Sequence, residues 1–187
     1  GIVVNARAQR FIAEDSYYAC IGHEVAFAQQ GKAFLVTDAD CSYDPGDFRM
    51  PLLAEAAGIG ELEGKGGFAP GTLTHAVATY NSGAARGEDP LLHKHPKFLA
   101  PLVKAPFRLY ELDVTRAFCC SHTFGGLETT LDSQVLDVFG SVIPGLYAAG
   151  RTTAGLPTSP YIASGISVGD CTFFGRRAGR HAAKEVT

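Results

Sequence analysis

The sequence predicts an α+β fold in two parts, with a boundary near residue 105. Helical patterns of apolar residues occur over 72–86 and 164–184. Apolar runs of strand length, such as 32–40, lie elsewhere in the chain. Four prolines fall between residues 89 and 106, in an irregular passage of the kind in which domains commonly join. These observations together favour two parts that each mix helices and strands.

The composition excludes several classes of protein. The 187 residues are 46% hydrophobic and 19% charged, with a net charge of −3 and a pI near 6.1, so nothing predicts binding to nucleic acid or to anionic membranes. No apolar run approaches the ~18 residues that a membrane span needs, and the first residues do not resemble a signal peptide. Five cysteines, an odd number, favour reduced thiols and a cytoplasmic location.

The first part covers residues 1–105. Its predicted elements, in order, are a hairpin over 1–15, a helix from Ser16 to Gly31, a strand over 32–40, a short helix near 51–57 and a helix capped by Thr72. The glycines and prolines between 58 and 71 predict connections.

The second part covers residues 106–187. Alternating β-branched and aromatic residues predict a strand over 107–120, and turn residues divide 126–150 into three short strands. A loop rich in glycine, proline and hydroxyl residues then precedes a helix from Ser164 to Lys184.

The start of that last helix is the first candidate site. Ser164 or Ser167 can cap it, and Gly165 leaves the first backbone N–H groups open to an electron-rich ligand atom. Three further glycines inside the helix each cost about 1 kcal/mol relative to alanine, which indicates that something packs closely against it. Close packing on a sheet explains the same glycines equally well, so both interpretations stand.

A second candidate is the stretch "CCSHTFGG". His122 precedes the pair Gly125 and Gly126, which permits the backbone to approach a flat ligand. A structural role for His122 is the simpler alternative. Cys119, Cys120 and His122 form a poor zinc set, because adjacent cysteines fit badly around one tetrahedral ion. No metal is therefore predicted.

These motifs resemble a known family. "HTFGGLETTLDSQVLDVFGSVIPGLYAAGR" and "SGISVGDCTFFGRRAG" resemble the C-terminal part of the FAD-dependent fumarate reductase and 3-ketosteroid dehydrogenase superfamily. "GIVVNARAQRFIAED", "GTLTHAVATYNSGAARGEDP" and "APFRLYELD" resemble its capping domain. The resemblance implies a capping, substrate domain over 1–105. Residues 106–187 would be the C-terminal part of an FAD-binding domain, α/β in the parent, that lacks its N-terminal Rossmann unit.

The resemblance also implies the roles of particular residues. The helix start would face the flavin ring, the glycine pair would pass near it, and the turn before the loop would lie beside the ring or ribityl chain. The implied cofactor-binding residues are Gly125, Gly126, Gly150, Arg151, Ser164, Gly165, Ile166, Ser167 and Val168. Tyr161 and His122 are the implied catalytic residues.

The implied activity is hydride transfer with FAD that forms or reduces a C=C bond next to a carbonyl. Fumarate reductases carry an arginine in the loop before the last helix, whereas this loop reads "TSPYIASG" and offers Tyr161. A phenol can polarise a ketone but cannot neutralise a carboxylate, so an enone or ketosteroid-like substrate is favoured. Two alternatives stay open: Arg151 supplies the charge for a dicarboxylate, or Tyr161 only packs.

The family's pyrophosphate fingerprint, G-x-G-x-x-G, does not occur in this sequence. The expected partner is therefore a separate N-terminal FAD-binding segment, and the isolated chain is expected to be inactive. The alternative is a non-catalytic cap or assembly module that docks on such a segment.

Overall fold

The computed structural model describes residues 1–41, 50–116, 125–157, 161 and 163–185. Its contacts divide the chain into two units, Gly1–Cys119 and Cys120–Thr187. Helices and antiparallel sheets occur together in the chain, which confirms the predicted mixed α+β class. Within the described ranges, no helix combines the length and the apolar character needed to cross a bilayer.

The first unit is built on a sheet of four antiparallel strands. These are β1 (Ile2–Asn5), β2 (Lys32–Thr37), β3 (Leu52–Ala56) and β4 (Phe107–Asp113), in the spatial order β1-β2-β4-β3. Strand β4 lies inside the sheet and pairs with both β2 and β3. The expected boundary near residue 105 therefore falls within the first unit, because the strand that follows it completes this sheet.

Helices cover both faces of the sheet. They are α1 (Tyr18–Phe27), α2 (Ile59–Lys65) and α3 (Thr72–Ala84). One core joins α2 and α3 to the sheet through buried residues that include Leu62, Leu73, Val77, Val36 and Leu109. The other face holds a smaller core of Val3, Val25, Ala33, Met50, Tyr110 and Leu112. The continuous apolar runs of β1 and β2 follow from this arrangement, because successive side chains enter opposite cores.

The prediction of a short helix near 51–57 is wrong. Strand β3 occupies this stretch, with Ala54 opposite Leu109 and Ala56 opposite Phe107. The two alanines are buried and Glu55 between them is exposed, which is the period of a strand with one buried face. The helix forms later, as α2, in a stretch predicted to be a connection.

The start of α3 is capped by a side chain from α2. The carboxylate of Glu63 accepts hydrogen bonds from the backbone N–H groups of Gly71 at 2.6 Å and Thr74 at 2.9 Å. These bonds, with that of Thr74 the largest cause, hold the pKa of Glu63 below its usual value. The predicted cap, Thr72, instead donates its hydroxyl to the carbonyl of Ala69.

The second unit contains a two-stranded antiparallel sheet and a long helix. Its elements are β5 (Gln134–Leu136), β6 (Val142–Tyr147) and α4 (Ile166–Glu185). Of the three strands predicted over 126–150, the described residues form these two, and the third is reduced to isolated bridges. The predicted final helix matches α4 within two residues at its start.

A polar cluster holds β6 against the C-terminal half of α4. The hydroxyl of Tyr147 donates to Glu185 at 2.6 Å and lies 2.8 Å from Nδ1 of His181. Arg177 of the same helix donates to Asp132 at 3.0 Å. The hydrogen bond to Glu185, followed by burial, raises the pKa of Tyr147 to about 12. These contacts tie the C-terminal half of α4 to the strand and to the turn before β5.

Candidate functional site

Helix α4 begins at a glycine turn. Gly165 has a φ of +88°, a left-handed conformation that residues with a side chain rarely adopt. Its carbonyl accepts the first hydrogen bond of the helix, from the N–H of Gly169 at 2.8 Å. The backbone thus turns sharply into the helix, and the N–H groups of the first turn point back towards the turn.

The first turns of α4 have one covered side and one open side. Ser167 and Asp170 are buried, Asp170 to 1% exposure. Val168 is 67% exposed, and Ser164 and Gly165 are exposed as well. A Cβ atom built at Gly165 would meet nothing within 4 Å, and the same is true at Gly169. The described residues of the chain therefore leave space along one side of the helix start.

Three side chains meet on the covered side. The hydroxyl of Tyr161 donates to Oγ of Ser167 at 3.0 Å, and the backbone N–H of Ser167 donates to the same hydroxyl at 3.0 Å. Arg151 donates to Oγ of Ser167 at 3.1 Å. Tyr161 and Ser167 are both buried, whereas Arg151 is exposed. The side-chain hydrogen bond to Ser167, followed by the backbone one, lowers the pKa of Tyr161, and the charge of Arg151 acts in the same direction.

Asp170 anchors the loop that precedes the helix. Its Oδ1 accepts a hydrogen bond from the N–H of Leu156 at 3.2 Å. A Cβ atom built at Gly155 would lie 2.7 Å from the same oxygen, so this residue permits the close approach of the loop. Oδ2 of Asp170 is buried and has no hydrogen-bond partner among the described residues. The local sequence around Asp170 gives no signal for this contact, because its partner Leu156 lies 14 residues earlier in the chain.

Gly150 packs directly on α4. It has a φ of +76°, and a Cβ atom built there would lie 2.6 Å from Sγ of Cys171. The carbonyl of Gly150 accepts hydrogen bonds from the N–H and the hydroxyl of Thr153 at 2.8 Å and 2.7 Å. Packing within the unit therefore accounts for this glycine.

The two adjacent glycines of the pair differ. Leu127 forms a parallel bridge with Thr153, and a Cβ atom built at Gly126 would overlap the carbonyl oxygen of Thr152. At Gly125, by contrast, nothing lies within 4 Å of such an atom. The bridge thus requires the second glycine of the pair and leaves the first without a packing explanation in the described part of the unit.

We expect Gly126→Ala to destabilise the second unit by about 1–3 kcal/mol, because the added methyl group must displace the backbone at Thr152. Gly125→Ala is the matched control and should change stability by less than about 1 kcal/mol, since its methyl group has room. Chemical denaturation of both variants makes the comparison. Equal stability of the two variants would contradict this account of the bridge.

Of the remaining candidates, some lie outside the described residues and one, Ile166, lies within them. His122 lies outside the described residues, as do Cys119 and Cys120, so their predicted roles stay predictions. Ile166 is half-buried and follows Gly165 at the start of the helix. Within the described ranges, no group of three His, Cys, Asp or Glu side chains is placed to hold a metal ion. The structure thus brings together Arg151, Tyr161, Gly165, Ile166, Ser167 and Val168 around one helix end.

Comparison with known proteins defines the class. A family model for the FAD binding domain matches residues 1–168. The chain belongs to this family. Its relatives include fumarate reductases and 3-ketosteroid dehydrogenases, which confirms the resemblance noted in the sequence. Its members are FAD-dependent oxidoreductases, so the predicted cofactor, FAD, is confirmed for the family.

Three relatives illustrate the similarity. The chain is 39% identical to the vinyl phenol reductase of Lactiplantibacillus plantarum over 136 residues, which are 72% of this chain and 27% of that protein. It is 31% identical to a cytochrome-type fumarate reductase of Shewanella frigidimarina over 195 residues, 98% of this chain and 32% of that one. The structure of 3-ketosteroid-Δ4-(5α)-dehydrogenase from Rhodococcus jostii RHA1 matches with a TM-score of 0.81 and 40% identity, over 98% and 38% of the two chains. The chain thus spans about a quarter to two fifths of the length of these relatives.

Proposed function

We propose that this chain is part of a flavin-dependent oxidoreductase that forms or reduces a C=C bond next to a carbonyl, and that its substrate is an enone of the ketosteroid type. The observation that carries the proposal is the open side of the helix start. Gly165 and Val168 lie on that side with no covering group in the described unit, while Ser167 holds the other side in place. A flat ring needs such a surface.

The residues at the helix start fit the cofactor of the family. The N–H groups of residues 164–168, apart from that of Ser167, which donates to Tyr161, and the positive end of the α4 dipole would stabilise negative charge on the ring oxygen that faces them. Gly125 and Gly126 would pass near the ring, and Gly150 and Arg151 would lie beside the ring or ribityl chain. When bound, FAD supplies the hydride acceptor or donor for the reaction.

Tyr161 is the proposed acid that polarises the substrate carbonyl. Its phenol lies beside the helix start, and its lowered pKa makes it a stronger hydrogen-bond donor than an ordinary tyrosine. His122 is proposed to contact the substrate as well, on the strength of the family resemblance. A neutral ketone is favoured because a phenol cannot compensate the charge of a carboxylate.

The structural comparison with one steroid enzyme supports this choice of substrate. The steroid dehydrogenase structure from Rhodococcus has a TM-score of 0.81, against 0.62 for a flavocytochrome c3 fumarate reductase. Arg151 favours the alternative, a dicarboxylate or a ketone that also carries a carboxylate, because its guanidinium is exposed beside Tyr161.

The experiment compares substrates in the flavin-loaded full-length protein. We expect turnover of a 3-ketosteroid with an artificial electron carrier and at least about tenfold slower turnover of fumarate. Faster turnover of fumarate would overturn the substrate assignment. Flavin-loaded protein that is inactive on a broad panel of enones and enoates would overturn the activity itself.

A second proposal concerns assembly. Strand β6 is exposed from Val142 to Leu146, and Val142, Ile143 and Leu146 are each more than a third exposed. Apolar surface of this kind is typical of a face that another segment covers. We propose that an FAD-binding segment carrying the pyrophosphate fingerprint packs on it, whether or not this chain is also catalytic.

Gel filtration and a visible absorption spectrum of the purified chain test this assembly. A colourless chain that forms a stable complex with the FAD-binding segment, and gains flavin colour on doing so, supports docking. A chain that is yellow and monomeric alone would show that it holds the cofactor without that segment, and would overturn the docking proposal.

A further inference from the structure

Ser167 joins the proposed acid to the nearest positive charge. Its Oγ is 3.0 Å from the phenol oxygen of Tyr161 and 3.1 Å from a guanidinium nitrogen of Arg151. Its backbone N–H donates to the same phenol oxygen. We propose that Ser167 is a positioning residue that holds the phenol of Tyr161 and transmits the charge of Arg151 to it. This inference rests on the proposed function of Tyr161 as an acid, and it states that Ser167 and Arg151 set the acidity of its phenol.

The hydrogen-bond capacity of the groups supports this role. A serine hydroxyl has one proton and two lone pairs. One lone pair accepts from Arg151 and the other from Tyr161, so both are filled while the phenol proton points at the serine. The phenol oxygen accepts the N–H of Ser167 in the same arrangement, so Ser167 contacts this phenol through both its side chain and its backbone.

A rotation of the serine hydroxyl reverses one of these bonds. The proton of Ser167 then points at the phenol oxygen, and the proton of Tyr161 turns outward to a substrate carbonyl. Each proton stays bonded to its own oxygen in this rearrangement, so no proton is transferred. The phenol oxygen now accepts two hydrogen bonds, from the N–H and the hydroxyl of Ser167, which strengthens its own O–H as a donor.

The surroundings make the effect larger than it would be in water. Tyr161 is 8% exposed and Ser167 is 9% exposed, so few water molecules compete for these bonds. Ser167 also lies in the first turn of α4, where the helix dipole favours negative charge on a nearby oxygen. The lowered pKa of Tyr161, caused first by the side chain of Ser167 and then by its N–H, agrees with the geometry.

The simplest alternative is a purely structural role, in which Tyr161 and Ser167 only fasten the loop to the helix. The pKa of the Tyr161 phenol distinguishes this structural role from the proposed positioning role. We therefore propose to titrate this phenol by NMR in the flavin-loaded protein with 13Cζ-labelled tyrosine, and to assign its signal with Tyr161→Phe. This measurement requires no substrate.

In Ser167→Ala we expect the Tyr161 midpoint to move to higher pH, because the variant removes the hydroxyl and keeps the N–H. Ser167→Thr restores the hydroxyl and should return the midpoint towards that of the wild type. Arg151→Gln should raise the midpoint as well, since it removes the charge and leaves the serine. A midpoint that is unchanged in both Ser167→Ala and Arg151→Gln overturns the inference.

The pH profile of turnover gives a second readout. An acid must be protonated to donate, so turnover should fall as pH rises through the pKa of Tyr161. In Ser167→Ala this fall should move to higher pH, with kcat lowered about tenfold and KM changed by less than about threefold. If no ketosteroid is turned over but the NMR midpoint still shifts, the proposed substrate is wrong and the control of Tyr161 by Ser167 stands.

Discussion

Replacing Tyr161 by phenylalanine is expected to lower ketosteroid turnover at least about tenfold in the flavin-loaded protein, because the carbonyl loses its hydrogen-bond donor while the ring that fills the loop remains. Flavin absorbance should be retained. The phenol oxygen also accepts the N–H of Ser167, so the variant leaves that buried group without a partner at the helix start. Turnover is therefore expressed per bound flavin.

Tyr147→Phe is the matched control for this loss. It removes a phenol from the same unit, one that bonds Glu185 and His181 at the other end of α4. We expect its turnover per flavin to remain within about twofold of the wild type. Equal turnover of Tyr161→Phe and wild type would remove Tyr161 from the mechanism. Equal losses in the two phenylalanine variants would assign the effect to the packing of α4.

The largest expected loss of stability is in the first unit, at a buried ionic cluster. Arg10 donates to both carboxylate oxygens of Asp89, at 3.0 Å and 2.8 Å, and to both of Glu14. Lys94 lies 3.3 Å from Glu14, and the side chains of all four residues are at most 8% exposed. Arg10 also stacks over the ring of Tyr80 at 4.7 Å. The cluster joins the segment after β1 to the proline-rich passage after α3.

We expect Asp89→Ala to lower the free energy of unfolding by about 3–5 kcal/mol, because it leaves Arg10 buried with one of its two carboxylates gone. Glu88→Ala is the control at the neighbouring position. Glu88 pairs with Arg86 in an ion pair that is more than half exposed, so its loss should cost less than about 1 kcal/mol. Urea denaturation of both variants measures the difference, and a cost below 1 kcal/mol for Asp89→Ala would contradict the account of the cluster.

The same carboxylate should make the stability depend on pH. The hydrogen bond from Arg10 is the largest cause that holds the pKa of Asp89 below its ordinary value of 3.8. The stabilisation is therefore complete above that ordinary value and is lost as pH falls through the lowered one. Asp89→Asn should remove this part of the acid dependence. An identical acid dependence in wild type and Asp89→Asn would show that other groups cause it.

The elements that the sequence predicts well carry strong local signals. Helix α4 and helix α3 each have apolar residues at helical spacing and a glycine near an end, and both form close to the predicted bounds. The two apolar strands β1 and β2 are equally clear, since few other structures bury such runs. Local preference and final structure agree in these segments.

The errors occur where distant contacts override local preference. The run "LLAEA" favours a helix by composition, yet it forms β3 because β4, more than fifty residues later, offers it a partner. The hairpin predicted over 1–15 is reduced to β1 and one bridge, between Val4 and Arg10, and the side chain of Arg10 bonds Asp89, 79 residues later. Glu63 caps α3 from another helix, which no spacing rule near Thr72 can indicate.

The candidate site likewise has features that the local sequence predicts and features that depend on distant contacts. The open turn at Gly165 and the helix start could be predicted, because glycine and serine have strong positional preferences there. The bond between Tyr161 and Ser167 could not, because it depends on how the loop folds back over the helix. The anchoring of the loop by Asp170 depends on the same folding.

A single exposed valine tests most directly whether a flavin rests on the open side of α4. In Val168→Glu the new carboxylate lies in the first turn, where it suits the helix dipole, so the flavin-free protein should melt no lower than the wild type. The account predicts that this variant binds FAD at least about tenfold more weakly, because the side chain occupies and charges the ring surface. Val138→Glu, at a hairpin tip where the valine is 93% exposed, should bind FAD normally. Full flavin affinity in Val168→Glu would contradict the account.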